Sequence, residues 1–215
     1  RTIFDGLLET LLEVTDSEYG FIGETRTTKN GRRYLKTFAI TDIAWDEQTR
    51  AFYDRNAPAG MEFFNLSSLF GHVMVSERPV IANEPDNYPR AGGVPPGHPP
   101  LQAFLGLPFR SAGEMVGMVG LANRPGGYTE ALIELLAPLL STCGNIVMAR
   151  RARIDRHESV ASLRDEEARY RAVLETAPDP IVIRTRYDLV TQINPAARAA
   201  WGYADDEVIG RPVSM

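Results

Sequence analysis

The sequence is short of cysteine, of positive charge and of uninterrupted apolar runs, and each shortage excludes something. One cysteine, Cys143, stands among 215 residues. It rules out an internal disulfide and a cysteine-rich zinc site, and it fits a reducing, cytoplasmic compartment. Lysine plus arginine number 23 against 28 acidic residues, a formal net charge of −5. A nucleic-acid binder neutralises phosphates with a basic face, so nucleic acid is not an expected partner. The most apolar stretch, Ala131 to Ala149, is interrupted by Glu134 and diluted by Pro138, Ser141, Thr142, Gly144 and Asn145. It falls short of the roughly 20 apolar residues that a bilayer demands, and reads as a buried helix of a soluble domain rather than a membrane span. His-Glu-x-x-His, Gly-x-x-x-x-Gly-Lys and Gly-x-Ser-x-Gly are all missing, so neither catalytic residues nor a metal site are expected in this stretch. With no signal-like opening and no initiating methionine, the chain is expected to be a piece of a longer protein.

What is present suffices for a core: hydrophobic residues make up 44% and charged residues 24%, the balance of a folded α+β protein. Leu7, Leu8, Leu11, Leu12 and Val14 have amphipathic-helix spacing. Tyr19–Thr25 and Tyr34–Ile40 read as strands around a turn at Lys29-Asn30-Gly31, where Asn-Gly supplies the positive φ angles of a tight hairpin. A second helix is predicted over Leu66–Ser76 and another over Asp46–Asp54, with a short strand at Pro79–Ala82. Two more strands, Phe104–Arg110 and Met115–Ala122, flank a turn at Ser111–Glu114. An antiparallel sheet flanked by helices follows. Asn83 to Pro100 holds six prolines in eighteen residues; each lacks a backbone donor and restricts its predecessor, so this is a stiffened loop.

From Thr129 a helical pattern runs to Glu175. Leu136, Leu140, Cys143 and Val147 alternate by four and three, as does a second run of Val160, Leu163, Tyr170 and Leu174 displaced by one residue. Both read as seams of a parallel dimer with a register irregularity near His157 to Val160; the alternative is a solvated single helix with no partner. Ala177-Pro178-Asp179-Pro180 then breaks the helix. Two short strands, Ile181–Ile183 and Leu189–Ile193, precede a helix capped by Asn194 with Pro195 at its first position. Asp205 or Asp206 could cap another. Some forty residues are too few to close a core alone.

Tyr170, Leu174, Ala177-Pro178-Asp179, Asn194-Pro195-Ala196, Gly202-Tyr203 and Glu207-Val208-Ile209-Gly210 resemble the opening of a PAS domain. Gly20–Gly23, Asn65-Leu66, Leu69–Gly71, Pro79–Asn83, Gly97–Leu101, Phe104–Pro108 and Gly117–Asn123 resemble a GAF domain of the bacterial signalling branch. The resemblance implies three parts: a GAF sensory domain over 1–149, a helical coiled-coil linker over 150–175, and an incomplete PAS fold over 176–215. It implies the input portion of a cytoplasmic signal-transduction protein, most simply a sensor histidine kinase. The alternatives are the input of a diguanylate cyclase or phosphodiesterase, or a ligand-free GAF dimerisation scaffold. Its partners would be a second copy of the chain, a small molecule, and an output domain in cis that carries any enzymatic activity.

A GAF domain cups its ligand between the sheet and covering loops. The candidate lining here is Phe70, Asn83, Arg90, His98, Phe104 and Asn123, with Arg90 suited to a carboxylate or phosphate. No cofactor is required, and none can be named. His98, in Gly-His-Pro-Pro-Leu, resembles the corresponding stretch of haem-binding relatives, which would make it an axial ligand. Other GAF chemistries do not fit. The Asn-Lys-Phe-Asp-Glu cyclic-nucleotide signature is absent, Cys143 is misplaced for a bilin, and one thiol cannot serve a two-thiol methionine-sulfoxide reductase.

Overall fold

A computed structural model describes residues 2–42, 59–89 and 99–213; the helix predicted over Asp46–Asp54 lies outside them. The chain forms two compact units, Arg1–Arg151 and Ala152–Met215.

In the first unit, α1 (Ile3–Thr15) starts where the Thr2 hydroxyl accepts from the Asp5 amide and ends at Asp16 in the left-handed region. Strands β1 (Tyr19–Thr27) and β2 (Arg33–Ile40) form the expected hairpin. Its turn differs in kind: Gly31 alone takes a positive φ, of 82°, and the Gly31 amide donates to the Thr28 carbonyl at 2.9 Å. The loop is thus an ordinary turn closed by a left-handed glycine, rather than a two-residue Asn-Gly turn. Then come β3 (Glu62–Phe63), α2 (Leu69–Ser76), β4 (Val80–Ala82), β5 (Phe104–Ser111) and β6 (Glu114–Ala122). Helix α2 begins three residues later than predicted because the Ser68 hydroxyl caps it, accepting from the Gly71 amide. Every neighbour in the six-stranded sheet, ordered β3-β2-β1-β6-β5-β4, is antiparallel.

The two faces of this sheet are filled differently. One is covered by α1 and by the start of α3 (Glu130–Thr176), around Leu11, Ile22, Leu107, Phe109, Val119, Leu136 and Cys143. The other is covered by α2, around Leu35, Val73, Met74, Phe104 and Met118. A register shift where β5 pairs with β6 moves the side-chain alternation by one place. Met115 and Met118 therefore share one face, while Val116, Val119 and Leu121 share the other. Gly144 lets α3 settle onto the sheet: a Cβ there would lie 2.4 Å from the Arg110 carbonyl oxygen.

The first predicted seam needs correction. Leu136, Leu140, Cys143 and Val147 are buried in the core of their own domain, none more than 9% exposed. Their heptad-like spacing arises because a helix packed on a sheet also needs apolar residues every three or four positions. The second run divides: Val160, Leu163 and Tyr170 are exposed, while Leu174 is buried.

The second unit contains the rest of α3, a hairpin of β7 (Val182–Arg184) and β8 (Val190–Ile193), then α4 (Pro195–Trp201) and α5 (Asp205–Val208). Val190, Ile193, Ala197 and Val208 make its small core. Asn194 caps α4 as expected. Its side-chain oxygen accepts from the Ala197 and Ile181 amides at 2.9 and 2.8 Å, and its amide donates to the Asp179 carbonyl at 2.9 Å. Neither predicted aspartate caps α5; Ala204 precedes it, with its amide donating to Glu207 Oε2 at 2.8 Å.

Candidate functional site

Aromatic side chains converge on the α2 face of the sheet. Phe70, on α2, packs edge-on to Phe63 at 5.7 Å between ring centroids, and Phe63 lies 6.4 Å from Phe21 of β1. Phe104 of β5 belongs to the same cluster, as do Tyr88 and Leu101. Gly120 makes room for the group: a Cβ on it would stand 2.4 Å from the Phe21 ring. Tyr88 follows a 3-10 turn, Pro85–Asn87, at the start of the proline-rich segment, and its hydroxyl lies 2.8 Å from His72 Nδ1. That bond ties the segment to α2.

Of the six candidate lining residues, Phe70 and Phe104 meet on this face. Asn83 and Asn123 are committed elsewhere. Asn83 Oδ1 accepts from the Tyr128 amide at 2.8 Å and its Nδ2 donates to the Tyr128 carbonyl at 3.0 Å. Asn123 sits at φ 60°. Its Oδ1 accepts from the Gln102 amide at 2.8 Å, while Nδ2 donates to Glu18 Oε2 and the Pro100 carbonyl at 2.8 and 2.9 Å. Both amides staple loops at the ends of strands; what looked like polar lining is turn chemistry. Arg90 and His98 lie outside the described residues. Among the described residues no cluster of three His, Cys, Asp or Glu side chains could hold a metal, and His72 is engaged with Tyr88.

A second feature escaped the sequence reading. Glu24, in β1, is 2% exposed and pairs with Arg26 and with Arg151, whose Nε lies 3.2 Å from Oε2. Arg151 Nη2 also donates to the Thr25 and Val116 carbonyls at 2.8 and 3.3 Å. One guanidinium thus bonds β1, β6 and a buried carboxylate at the last residue of the first unit, anchoring α3 to the sheet. No local motif announces a pair 127 residues apart. A buried acid in a strand was the one available signal, and it reads equally well as an exposed edge residue.

Cys143 is inert by position: burial pushes its thiol up to about 11, far from the low values of reactive cysteines. The second unit has its own apolar cleft of about 310 Å³, lined by Val182, Trp201, Tyr203 and Val213 among others. Helix α3 is long and apolar enough to cross a membrane by length and composition. Four of its apolar residues fill the core against the sheet, and 22% of its most apolar window is buried.

A six-stranded antiparallel sheet with α1 and the start of α3 on one face, and α2 over a cluster of aromatic side chains on the other, is the fold of a signalling input domain. Residues 1–148 match the GAF domain family and residues 168–214 match a PAS domain; the chain belongs to the GAF family, with a PAS segment after it. Solved structures agree on the fold. The GAF domain of a phosphoenolpyruvate-protein phosphotransferase from Coxiella burnetii is 14% identical over 70% of this chain and 83% of its own, with a TM-score of 0.54. Its counterpart from Acinetobacter is 15% identical, covering 69% and 82%, with a TM-score of 0.53. A type II free methionine-R-sulfoxide reductase from Thermoplasma acidophilum is 14% identical over 66% and 88%, at 0.50. At these identities the likeness is one of fold alone.

Proposed function

We propose that the chain is the input module of a bacterial sensor histidine kinase: a GAF domain over 1–149 that binds a small apolar or aromatic molecule, a linker helix over 150–175, and a PAS domain beginning at 176. The observation that carries the ligand reading is the asymmetry of the sheet. One face is closed by two helices. Among the described residues, the other carries a single helix of 8 residues and bears Phe21, Phe63, Phe70 and Phe104, the apolar lining that a small-molecule recess would need. Binding there would change how the sheet packs against α3, and Arg151 would pass that change into the linker helix. The protein would work in the cytoplasm as a homodimer.

The test is titration of the purified chain with the apolar dye 1-anilinonaphthalene-8-sulfonate. One saturable site per chain, abolished by Phe104→Trp while the fold persists by circular dichroism, is the expected result. No saturable binding, or binding indifferent to Phe104→Trp, leaves a filled core and favours a dimerisation scaffold. A visible spectrum of the same sample decides haem separately: a Soret band lost in His98→Ala would assign it.

A further inference from the structure

Strand β3 is only 2 residues long, yet it engages both faces of the sheet, because neighbouring side chains of an extended chain point to opposite sides. Phe63 pairs in register with Leu35 and joins the aromatic cluster beside α2. Glu62 pairs in register with Lys36, on the face closed by α1 and α3, and its Oε1 lies 3.1 Å from Lys36 Nζ. Phe64, the next residue, stacks on Tyr34 at 4.8 Å between ring centroids. Lys36 and Tyr34 are the residues of β2 that stand directly opposite Glu24 and Arg26 of β1. Those two form the ion-pair cluster of Arg151. The residues on either side of Phe63 are therefore bound to the cross-strand neighbours of the cluster that anchors α3. Charge gives this arrangement two positions. Arg151, Glu24, Lys36 and Glu62 run across α3, β1, β2 and β3 with alternating sign. Lys36 thus has a carboxylate on each side: Glu62, which it holds, and Glu24. Directly opposed residues stand about 5 Å apart between Cβ atoms, well within reach of a flexible four-carbon stem. Glu24 is 2% exposed, and a buried carboxylate left without a cation is costly. While Glu62 occupies Lys36, Glu24 stays with the arginines.

We propose that β3 is a lever between the aromatic cluster and the anchored part of α3, with Lys36 as the cation that changes partner. Displacing Phe63 draws Glu62 away from Lys36, Lys36 turns to Glu24, and the hold of Glu24 on Arg151 is released. The inference rests on the ligand reading above and names how occupancy of that face reaches α3. Two features make β3 the element that moves. It is an edge strand, paired on one side only and through two register positions. It also has a fixed point to turn on: the Thr37 amide donates to the Met61 carbonyl and the Met61 amide to the Thr37 hydroxyl, each at 2.9 Å. Gly60, just before, sits at φ 83°. Glu62, Phe63 and Phe64 can swing beyond that point without breaking it. A released Arg151 keeps the carbonyls of Thr25 and Val116, so α3 loosens at this place rather than detaching.

The test is hydrogen exchange of the full 215-residue chain, read by mass spectrometry on the segment around Arg151, without and with 1-anilinonaphthalene-8-sulfonate. Glu62→Gln removes the charge that holds Lys36. With no dye present it should speed exchange around Arg151 about fivefold or more, the lower end of ordinary coupling between sites. Lys36→Met in that background should return the rate to that of the native chain, since no competing cation is left for Glu24. A ladder that is only structural gives another pattern: Lys36→Met alone loosens α3 as much as Glu62→Gln, and the two together are no better than either. That pattern, or a Glu62→Gln chain that exchanges like the native one, overturns the lever. Bound dye should speed exchange in the native chain and leave the Lys36→Met chain unchanged; no speeding, or equal speeding in both, overturns it as well. A chain that binds no dye loses the ligand reading alone, because the variants still decide whether Lys36 changes partner.

Discussion

The two faces of the GAF sheet are built from the same strands yet held by different means. The helix-covered face is continuous and mostly aliphatic, with Phe4, Phe109 and Tyr128 among its buried side chains: Leu11, Ile22, Leu105, Leu107, Leu121 and Leu136 are all fully buried, and two long helices lie over them. Among the described residues the α2 face is smaller and rich in rings, several of them half-buried, and its cover is one short helix and the turn that Tyr88 ties to it. Stability is therefore concentrated on the first face and adaptability on the second. The proposed ligand reading needs that division, since a face that admits a ligand cannot also be the one packed to close density.

Truncation should expose the difference most sharply. Leu136→Ala removes a fully buried side chain between α3 and the sheet, and should cost about 3 kcal/mol or more in chemical denaturation. Phe70→Ala, on the other face, removes a larger but half-buried ring and should cost about half as much. Equal costs would mean that both faces are equally packed, and the ligand reading would lose its basis.

The second contrast concerns the end of the closed face. Replacing Arg151 by Met leaves Glu24 buried with Arg26 as its remaining partner, and the carbonyls of Thr25 and Val116 lose a donor. Breaking a buried pair costs about 3–5 kcal/mol in general. With Arg151 one-third exposed and Arg26 still present, about 2 kcal/mol is expected. Glu24→Gln with Arg151→Met should recover part of it, since no unpaired charge then remains. A double-mutant cycle that sums to the two single effects would show that Arg151 does not anchor the helix through Glu24.

Much of this architecture was legible in the residues and some was not, for physical reasons. Hairpins announce themselves through glycine at positive φ, and the Asn194-Pro195 helix start through capping chemistry, because both are local. The GAF and PAS segments were likewise recognisable from strings of neighbouring residues. The face that a helix presents is not local. Leu136 and Val147 satisfy a dimer seam and a sheet-packing stripe equally well, and only the position of β5 and β6 decides between them. The same limit separated the six candidate lining residues. Phe70 and Phe104 met because both point to one face of the sheet. Asn83 and Asn123 were drawn into loops whose partners lie 45 and 105 residues away.

Alkaline titration should divide the faces in a third way. On the closed face, burial pushes Cys143 up to about 11 and Tyr128 up to about 12, from ordinary values of 9.0 and 10.0. The folded chain then keeps protons that the unfolded chain has released, so stability is flat below pH 9 and falls as pH rises through 9–11 for Cys143 and 10–12 for Tyr128. Each group accounts for a loss on the order of 2 kcal/mol. Cys143→Ala should delay the onset by about one pH unit, read as denaturation midpoints across pH 8–11; an unchanged profile would mean that the thiol ionises without opening the core.

The smallest effect expected is also the one that speaks most directly to the open face. Tyr88→Phe deletes the hydroxyl that lies 2.8 Å from His72 Nδ1 and leaves the ring in its cluster. An ordinary hydrogen bond contributes about 1 kcal/mol, and this one is only partly buried, so the melting temperature should fall by about 2–4 °C. The functional consequence should be larger than that shift implies, because the bond is what ties Tyr88 to α2 beside the aromatic cluster. Loosening it should raise both the association and dissociation rates of the anilinonaphthalene probe while changing its equilibrium affinity little, since the rings that contact an apolar molecule stay in place. If affinity falls in proportion to stability instead, the loop contributes to the site itself, and the division between a rigid closed face and an adaptable open one must be drawn within the α2 face rather than between the two.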